Sequence, residues 1–301
     1  MKSTVDWCEL NYSVSEYIAE YWNTVTGIFL IISGLVFYNV NNKWIQSNNA
    51  YIQNRFLNIR NLLILVGVGT MLFHGTLLYP FQLLDELPML MLSREYILTL
   101  IELQTTEKSF NKRQLRSFDL VVLITKFLPV IISLSYFIYP ILQVISFHIT
   151  LKIAEISVIT LLYTLSNKLN KIAYTEIYNK YNYLNITRQT KQSNVNQSVD
   201  INFETNTVNR LKNRNKKSNL LKYVQSDIGE YIVIRKKMSQ SIKSGLFYYG
   251  ISIGIWCVEN IFCEYIQHLQ LHAVWHLLSS IGIYHLNHII VYHVMIDNML
   301  S

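Results

Sequence analysis

The feature that most constrains this chain is a succession of apolar runs, each close to the length a helix needs to cross a bilayer. Such a helix takes roughly 20 residues to cross about 30 Å of hydrocarbon. Seven runs read this way: Trp22–Val40, Leu62–Tyr79, Leu83–Glu102, Leu120–Tyr139, Ile141–Leu165, Gly245–Phe262 and His272–Val294. Only 15% of the residues are charged, where a soluble domain carries about a quarter. The runs are continuous rather than alternating, and Gly and Pro are few, so helices are favoured over a β-barrel. The expected fold is an all-α integral membrane protein, a seven-transmembrane helix bundle forming a single domain over 1–301. Pro140 alone separates the fourth and fifth runs, which predicts a tight helical hairpin. The N-terminus lacks the basic start and apolar stretch of a cleavable signal, so the first span is expected to direct insertion.

Loop charges give an independent count. Lys43, Arg55 and Arg60 follow the first run. Lys108, Lys112, Arg113 and Arg116 follow the third, and most other basic residues follow the fifth. Every second loop is basic, as the positive-inside rule requires for seven spans with a luminal N-terminus and a cytosolic C-terminus. The net charge of +7 therefore reflects topology and gives little support to nucleic-acid binding. The segment 166–242 is rich in Asn, Lys, Ser, Thr and Gln. It is expected to be a disordered, basic cytosolic insert. Its basic groups at Lys212–Lys222 and Arg235–Lys237 suit anionic lipid; a tolerated low-complexity insert is the plainer alternative.

Ionisable groups inside apolar spans are costly and usually functional. His272 and His276 lie four apart, so on a helix they share one face and can reach one metal ion. A pair of helix histidines is more commonly a polar contact than a ligand pair. The second run adds a third imidazole, His74. Three imidazoles leave the fourth tetrahedral position open, as in a catalytic zinc site. Asp85 opens the third run, just past Pro80, which is expected to end the second helix. A carboxylate there can take a proton from an attacking water. Glu86 follows directly and competes with Asp85 for that place. Thr70 shares a helix face with His74. Its hydroxyl suits oxyanion stabilisation, or simple back-bonding to a helix carbonyl. His268 is also available, and His285, His288 and His293, on the seventh run, read as packing or interfacial residues.

At these residues the chain resembles the alkaline ceramidase family, part of a wider seven-helix superfamily that includes progestin and adiponectin receptors. Three blocks carry the likeness. The first is Val5-Asp-Trp-Cys-Glu-Leu-Asn-Tyr with Tyr17-Ile-Ala-Glu-Tyr-Trp-Asn-Thr. The second is Gly69-Thr-Met-Leu-Phe-His with Gln82-Leu-Leu-Asp-Glu-Leu-Pro-Met. The third is Asn260-Ile-Phe-Cys-Glu with His272-Ala-Val-Trp-His. The resemblance implies zinc ligands at His74, His272 and His276, with Asp85 working on the attacking water. Where the family usually has Ser, this chain has Thr70, which keeps the hydroxyl. The resemblance also implies a calcium site in a luminal segment, residues 1–21: Asp6, Glu9, Asn11, Glu20 and the Trp7 carbonyl. Hard oxygen donors of this kind suit Ca²⁺; read without the resemblance, the segment is an ordinary acidic tail. It further implies a disulfide between Cys8 and Cys263. Cys257 is expected to be a buried thiol. Relative to the family, the insert is long and the connection from Cys263 to His272 is short.

The implied activity is zinc-dependent hydrolysis of ceramide, dihydroceramide or phytoceramide to a sphingoid base and a free fatty acid. The implied setting is the endoplasmic reticulum or Golgi membrane. The rival reading is a receptor of the same superfamily with little hydrolase activity.

Overall fold

The computed structural model describes residues 1–47, 50–105, 142–164 and 206–300, with isolated positions 131 and 167. Among the described residues the regular structure is helical, apart from one isolated bridge between Lys2 and Leu78. Helix α1 (Tyr21–Thr26) runs through Gly27 into α2 (Ile28–Ser47). Then come α3 (Ala50–Thr76), α4 (Tyr79–Thr105), α5 (Leu142–Thr164), α6 (Asn206–Ile266) and α7 (Leu271–Leu300). A 3₁₀ turn, Gln267–Leu269, joins α6 to α7.

Four described stretches are long and apolar enough to cross a membrane: Tyr21–Asn41, Gln53–Thr76, Leu142–Thr164 and Gly229–Leu269. Much of their outer surface is apolar. On α5, Ile145, Ile149, Ile153 and Ile156 are all exposed, an outer surface suited to lipid. Helices α4 and α7 have 27 and 30 residues, long enough to span. They are less apolar because α4 carries Asp85, Glu86, Arg94 and Glu95, and α7 carries five histidines. The expected fourth span, Leu120–Tyr139, lies outside the described residues.

Two expectations need correction. Pro80 does not end the second span. Helix α3 stops at Thr76, and Pro80 sits in the first turn of α4, where its missing N–H and fixed φ do no harm. The insert expected to be disordered over 166–242 is helical from Asn206 onward. From Tyr231 on, the reason is periodicity that composition concealed. Tyr231, Ile234, Met238 and Ser241 are buried at helical spacing, and the three apolar ones join a core with Ile289 and Ile290 of α7. Residues 168–205 of the insert lie outside the described residues. The sixth helix accordingly begins well before the expected Gly245. It departs from helical geometry at Phe262 (φ −116°, ψ 20°), just before Cys263.

Small residues set the closest helix approaches. A Cβ on Gly67 would meet the Gly27 carbonyl oxygen at 3.0 Å, so the α1–α2 junction lies directly on α3. A Cβ on Gly69 would meet the Leu84 carbonyl carbon at 2.6 Å and the Asp85 nitrogen at 2.7 Å. Backbone contact at Gly69 is what brings Asp85 beside Thr70. Helix association in lipid favours such small contacts, since apolar side chains gain little by leaving the lipid.

The N-terminal segment is stitched to the end of α3. Helix C-termini leave carbonyls without internal partners. Here Glu20 N–H donates to the His74 carbonyl at 3.0 Å, Ala19 N–H to Gly75 at 3.1 Å and Ser3 N–H to Leu77 at 2.9 Å. Ala19 packs with Phe73 and Leu77, and Val5, Trp7 and Phe81 cover them. These contacts hold the acidic segment over the place where α3 and α7 begin to share histidines.

Candidate metal centre

His74 lies in the last turn of α3, and His272 and His276 lie one turn apart at the start of α7. All three are buried, with 1–2% exposure. One nitrogen from each lies within 4.8 Å of the others. Ring centroids are 5.1 Å apart for His74–His272, 5.2 Å for His74–His276 and 4.7 Å for His272–His276. Among the described residues, this is the one group of His, Cys, Asp and Glu side chains gathered closely enough to hold an ion.

Each ring is held from behind through Nδ1. The Nδ1 of His74 contacts Glu20 Oε2. The Nδ1 of His272 lies 3.2 Å from Glu259 Oε2, and that of His276 lies 3.0 Å from Thr26 Oγ1. With the Nδ1 edges engaged, Nε2 is the edge left to an ion on every ring. Metal-binding histidines are characteristically held this way, because the second contact fixes tautomer, orientation and basicity. An all-nitrogen set of three with one open position fits zinc in a catalytic arrangement.

The supporting groups are themselves anchored. Glu20 is fully buried. Its carboxylate accepts the Trp7 backbone N–H at 2.9 Å and the Asn23 side-chain amide at 3.0 Å. Burial pushes the Glu20 carboxyl up, but the contact with His74 and the hydrogen bonds from Asn23 and Trp7 together outweigh it and hold the group below its ordinary range. Glu259 also accepts a hydrogen bond from the Cys8 backbone. The Trp7 ring stacks on His272 with centroids 4.0 Å apart and planes 26° from parallel.

Asp85 and Glu86 separate cleanly. Thr70 Oγ1 lies 2.6 Å from Asp85 Oδ1 and 2.9 Å from the Val66 carbonyl. A hydroxyl has one proton, so these are alternative donations, and both uses expected of Thr70 are within its reach. Asp85 is within electrostatic reach of His74. Glu86 faces elsewhere, accepting the Gln82 amide at 2.8 Å and the Gln143 amide at 2.6 Å. Of the two, Asp85 is the one paired with Thr70 and within electrostatic reach of His74.

The other expected site residues are distributed as follows. Asp6 and Asn11 pair, the Asn11 amide donating at 3.0 Å and 3.2 Å. Glu9 accepts the backbone N–H groups of Trp22 at 2.8 Å and Asn23 at 2.9 Å. It thus caps α1, whose N-terminal residue Glu20 offers no side-chain cap. Burial raises the Glu9 carboxyl, against those two backbone donors. Cys8 and Cys263 form a disulfide with Cα atoms 5.4 Å apart. Cys257, expected to be buried, is exposed on α6, on a helix whose outer face is apolar. His285 stacks on Tyr248, and His288 Nδ1 lies 3.0 Å from the Tyr284 carbonyl, in keeping with packing roles.

Sequence reasoning missed Glu259 and Thr26. Glu259 had a signal, a carboxylate inside an apolar run, the same rule that marked Asp85. Thr26 had none, because its role depends on how α1 meets α7.

Thr70 and Asp85 face a cavity of about 110 Å³ between the helices. Helices α3 to α7 line it, with Leu92, Leu151, Val158 and Ile242 among its apolar walls. Its lining is mostly apolar with a few fixed polar groups, the make-up of a site for an apolar ligand.

Apolar outer faces on several helices make this a multi-pass membrane protein, and its imidazole cluster makes it one able to hold a metal ion. Comparison with known proteins narrows the class. The chain belongs to the Ceramidase family, whose family model matches residues 1–300. Alkaline ceramidase 3 of Mus musculus is 38% identical over 109 residues, 36% of this chain and 39% of the mouse protein. Alkaline ceramidase YPC1 of Saccharomyces cerevisiae is 50% identical over 91 residues, 29% of this chain and 26% of the yeast protein. A Dictyostelium discoideum relative, dcd3B, is 27% identical over 303 residues, 94% of this chain and 84% of that protein.

Proposed function

We propose that this protein is a zinc-dependent amidase that cleaves ceramide, dihydroceramide or phytoceramide within the bilayer. The observation that carries this reading is the meeting of three ring-fixed imidazoles with a hydrogen-bonded Asp85–Thr70 pair at the wall of an apolar chamber. His74, His272 and His276 would hold the zinc. Bound zinc supplies Lewis acidity toward the carbonyl and lowers the pKa of a water to about 7. Glu20, Glu259 and Thr26 keep the three rings oriented throughout. Asp85 removes the proton from the attacking water as its oxygen bonds to the amide carbon. Thr70 steadies one Asp85 oxygen, and its hydroxyl can turn to the developing oxyanion. The C–N bond then breaks as Asp85 delivers the proton to the leaving nitrogen. The products are a free fatty acid and a sphingoid base. The apolar walls accept the hydrocarbon chains and exclude bulk water.

The same reading includes seven spans, with the N-terminus luminal and the C-terminus cytosolic, in the endoplasmic reticulum or Golgi membrane. It also assigns calcium to Asp6, Glu9, Asn11, Glu20 and the Trp7 carbonyl, a set of hard oxygens. Binding there would exchange their present hydrogen bonds for the ion. Glu20 would then belong to both centres, since it also contacts His74. A receptor with little hydrolase activity accounts less well for a carboxylate and a hydroxyl paired at the chamber wall.

The test is a ceramide panel assayed with purified wild type and His74→Ala, with metal analysis of both. Wild type is expected to carry zinc and release sphingoid base, and His74→Ala to lose both. Absence of release by wild type, or undiminished release by His74→Ala, would refute the reading.

A further inference from the structure

The chamber has a second polar station that the proposed reaction does not use. Glu155 of α5 is 9% exposed and lines the same void as Thr70 and Asp85. Its Oε1 accepts the Tyr249 hydroxyl of α6 at 3.1 Å. Its Oε2 accepts Lys152 Nζ at 2.9 Å, and Lys152 in turn lies over the Trp256 ring at 4.3 Å. Two donors therefore fix the carboxylate in place. An ionised carboxylate has about four acceptor positions, so two donors leave capacity on the chamber side.

A charge inside an apolar span is expensive and seldom kept without a use. Fastening α5 to α6 does not require one, because a neutral acceptor would serve the Tyr249 hydroxyl as a hydrogen-bond partner. The other hydroxyls lining the void donate elsewhere, Ser93 to the Met89 carbonyl, Tyr96 to Asn287 and Ser279 to the His276 carbonyl, and Leu92, Leu151, Val158 and Ile242 offer no donor. A plain hydrocarbon chain passing it offers none either. A hydroxyl on that chain does.

The station's depth says where such a hydroxyl would lie. Trp275, next to His276, and Gly282 both line the void on α7. They are two turns apart, roughly 10 Å along the helix. Tyr249 packs directly on Gly282, where an added Cβ would stand 3.1 Å from the Tyr249 Cβ. The Glu155–Tyr249 pair is thus about two helical turns from the level of the imidazoles. That distance lies beyond the hydroxyls that flank a ceramide's amide and falls partway along a long chain.

We propose that Glu155, held by Tyr249 and Lys152, is a specificity-determining residue that selects lipid amides bearing a hydroxyl partway along a hydrocarbon chain. The proposal rests on the amidase reading for its reaction, but its binding step can be read separately. Two ceramides would be compared that are identical except for a hydroxyl near the middle of the acyl chain. Wild type is expected to favour the hydroxylated one by about tenfold in kcat/KM, the discrimination expected of one well-placed hydrogen bond to a charged group. The double variant Lys152→Met with Glu155→Leu removes both charges together. It should cleave the plain ceramide as wild type does and show no preference. Glu155→Gln, which keeps the side chain's size, should show a reduced preference.

Equal cleavage of both ceramides by wild type would overturn the proposal. So would a preference that survives in the double variant, or an equal loss of activity toward both substrates in that variant. If wild type cleaves neither ceramide, the amidase reading fails, and thermal stabilisation by free fatty acids decides the selector by itself. Greater stabilisation by the mid-chain hydroxy acid than by the plain acid, lost in the double variant, upholds it. Equal stabilisation overturns it.

Discussion

Replacing Gly69 with Ala tests whether helix approach sets the site. The added methyl would stand 2.6 Å from the Leu84 carbonyl carbon and 2.7 Å from the Asp85 nitrogen. Carbon atoms in good contact lie about 3.5 Å or more apart. The obstructing atoms are backbone, so no rotamer change relieves the clash, and α3 and α4 must part by about 1 Å. Overpacking of this kind costs about 1–3 kcal/mol of stability. A functional cost of similar size is added, because the displaced atoms carry Asp85 away from Thr70 and His74. A misplacement of about 1 Å at a reacting group lowers rates on the order of 100-fold. The assay is kcat/KM on a cleaved ceramide, with zinc content measured on the same preparation. Zinc should be retained while kcat falls, since α3 is held against the α1–α2 junction at Gly67 and by the N-terminal segment, so that α4 gives way. Gly75→Ala is the control, because its Cβ would meet only Thr24 side-chain atoms at 3.7 Å, an ordinary contact. Gly69→Ala activity within about twofold of the Gly75→Ala control would refute the reasoning, since the 100-fold estimate would then have no basis here.

Two further outcomes are expected. Glu259→Ala should weaken zinc affinity by about 10- to 100-fold, as loss of a ligand's supporting carboxylate generally does, measured by competition with a chelator; unchanged affinity would show that Glu259 does not position His272. Asp6→Ala should abolish a calcium-dependent rise in unfolding temperature while leaving zinc content intact, and an undiminished calcium shift would remove Asp6 from the calcium assignment.

Much of this protein was legible in one dimension. Long apolar runs marked helices because the bilayer's thickness fixes their length. His74, Asp85, His272 and His276 stood out because charge and imidazole are costly in such runs. The four-residue spacing of His272 and His276 placed them on one face before any coordinates. What the order of residues did not contain was the arrangement between helices. Whether Asp85 or Glu86 faces His74 depends on the rotation of α4, which backbone contact at Gly69 sets. That α6 continues back from Gly245 to Tyr231 follows from a buried stripe whose value lies in its match to α7. The assignments of Glu20, Glu259 and Thr26 to particular rings required the N-terminal segment, α6 and α1 to converge on one point. Local sequence fixes helix length and the face a residue occupies, because these depend on rise and period along one chain. Which faces meet is decided by packing among distant segments, and only the folded bundle specifies it.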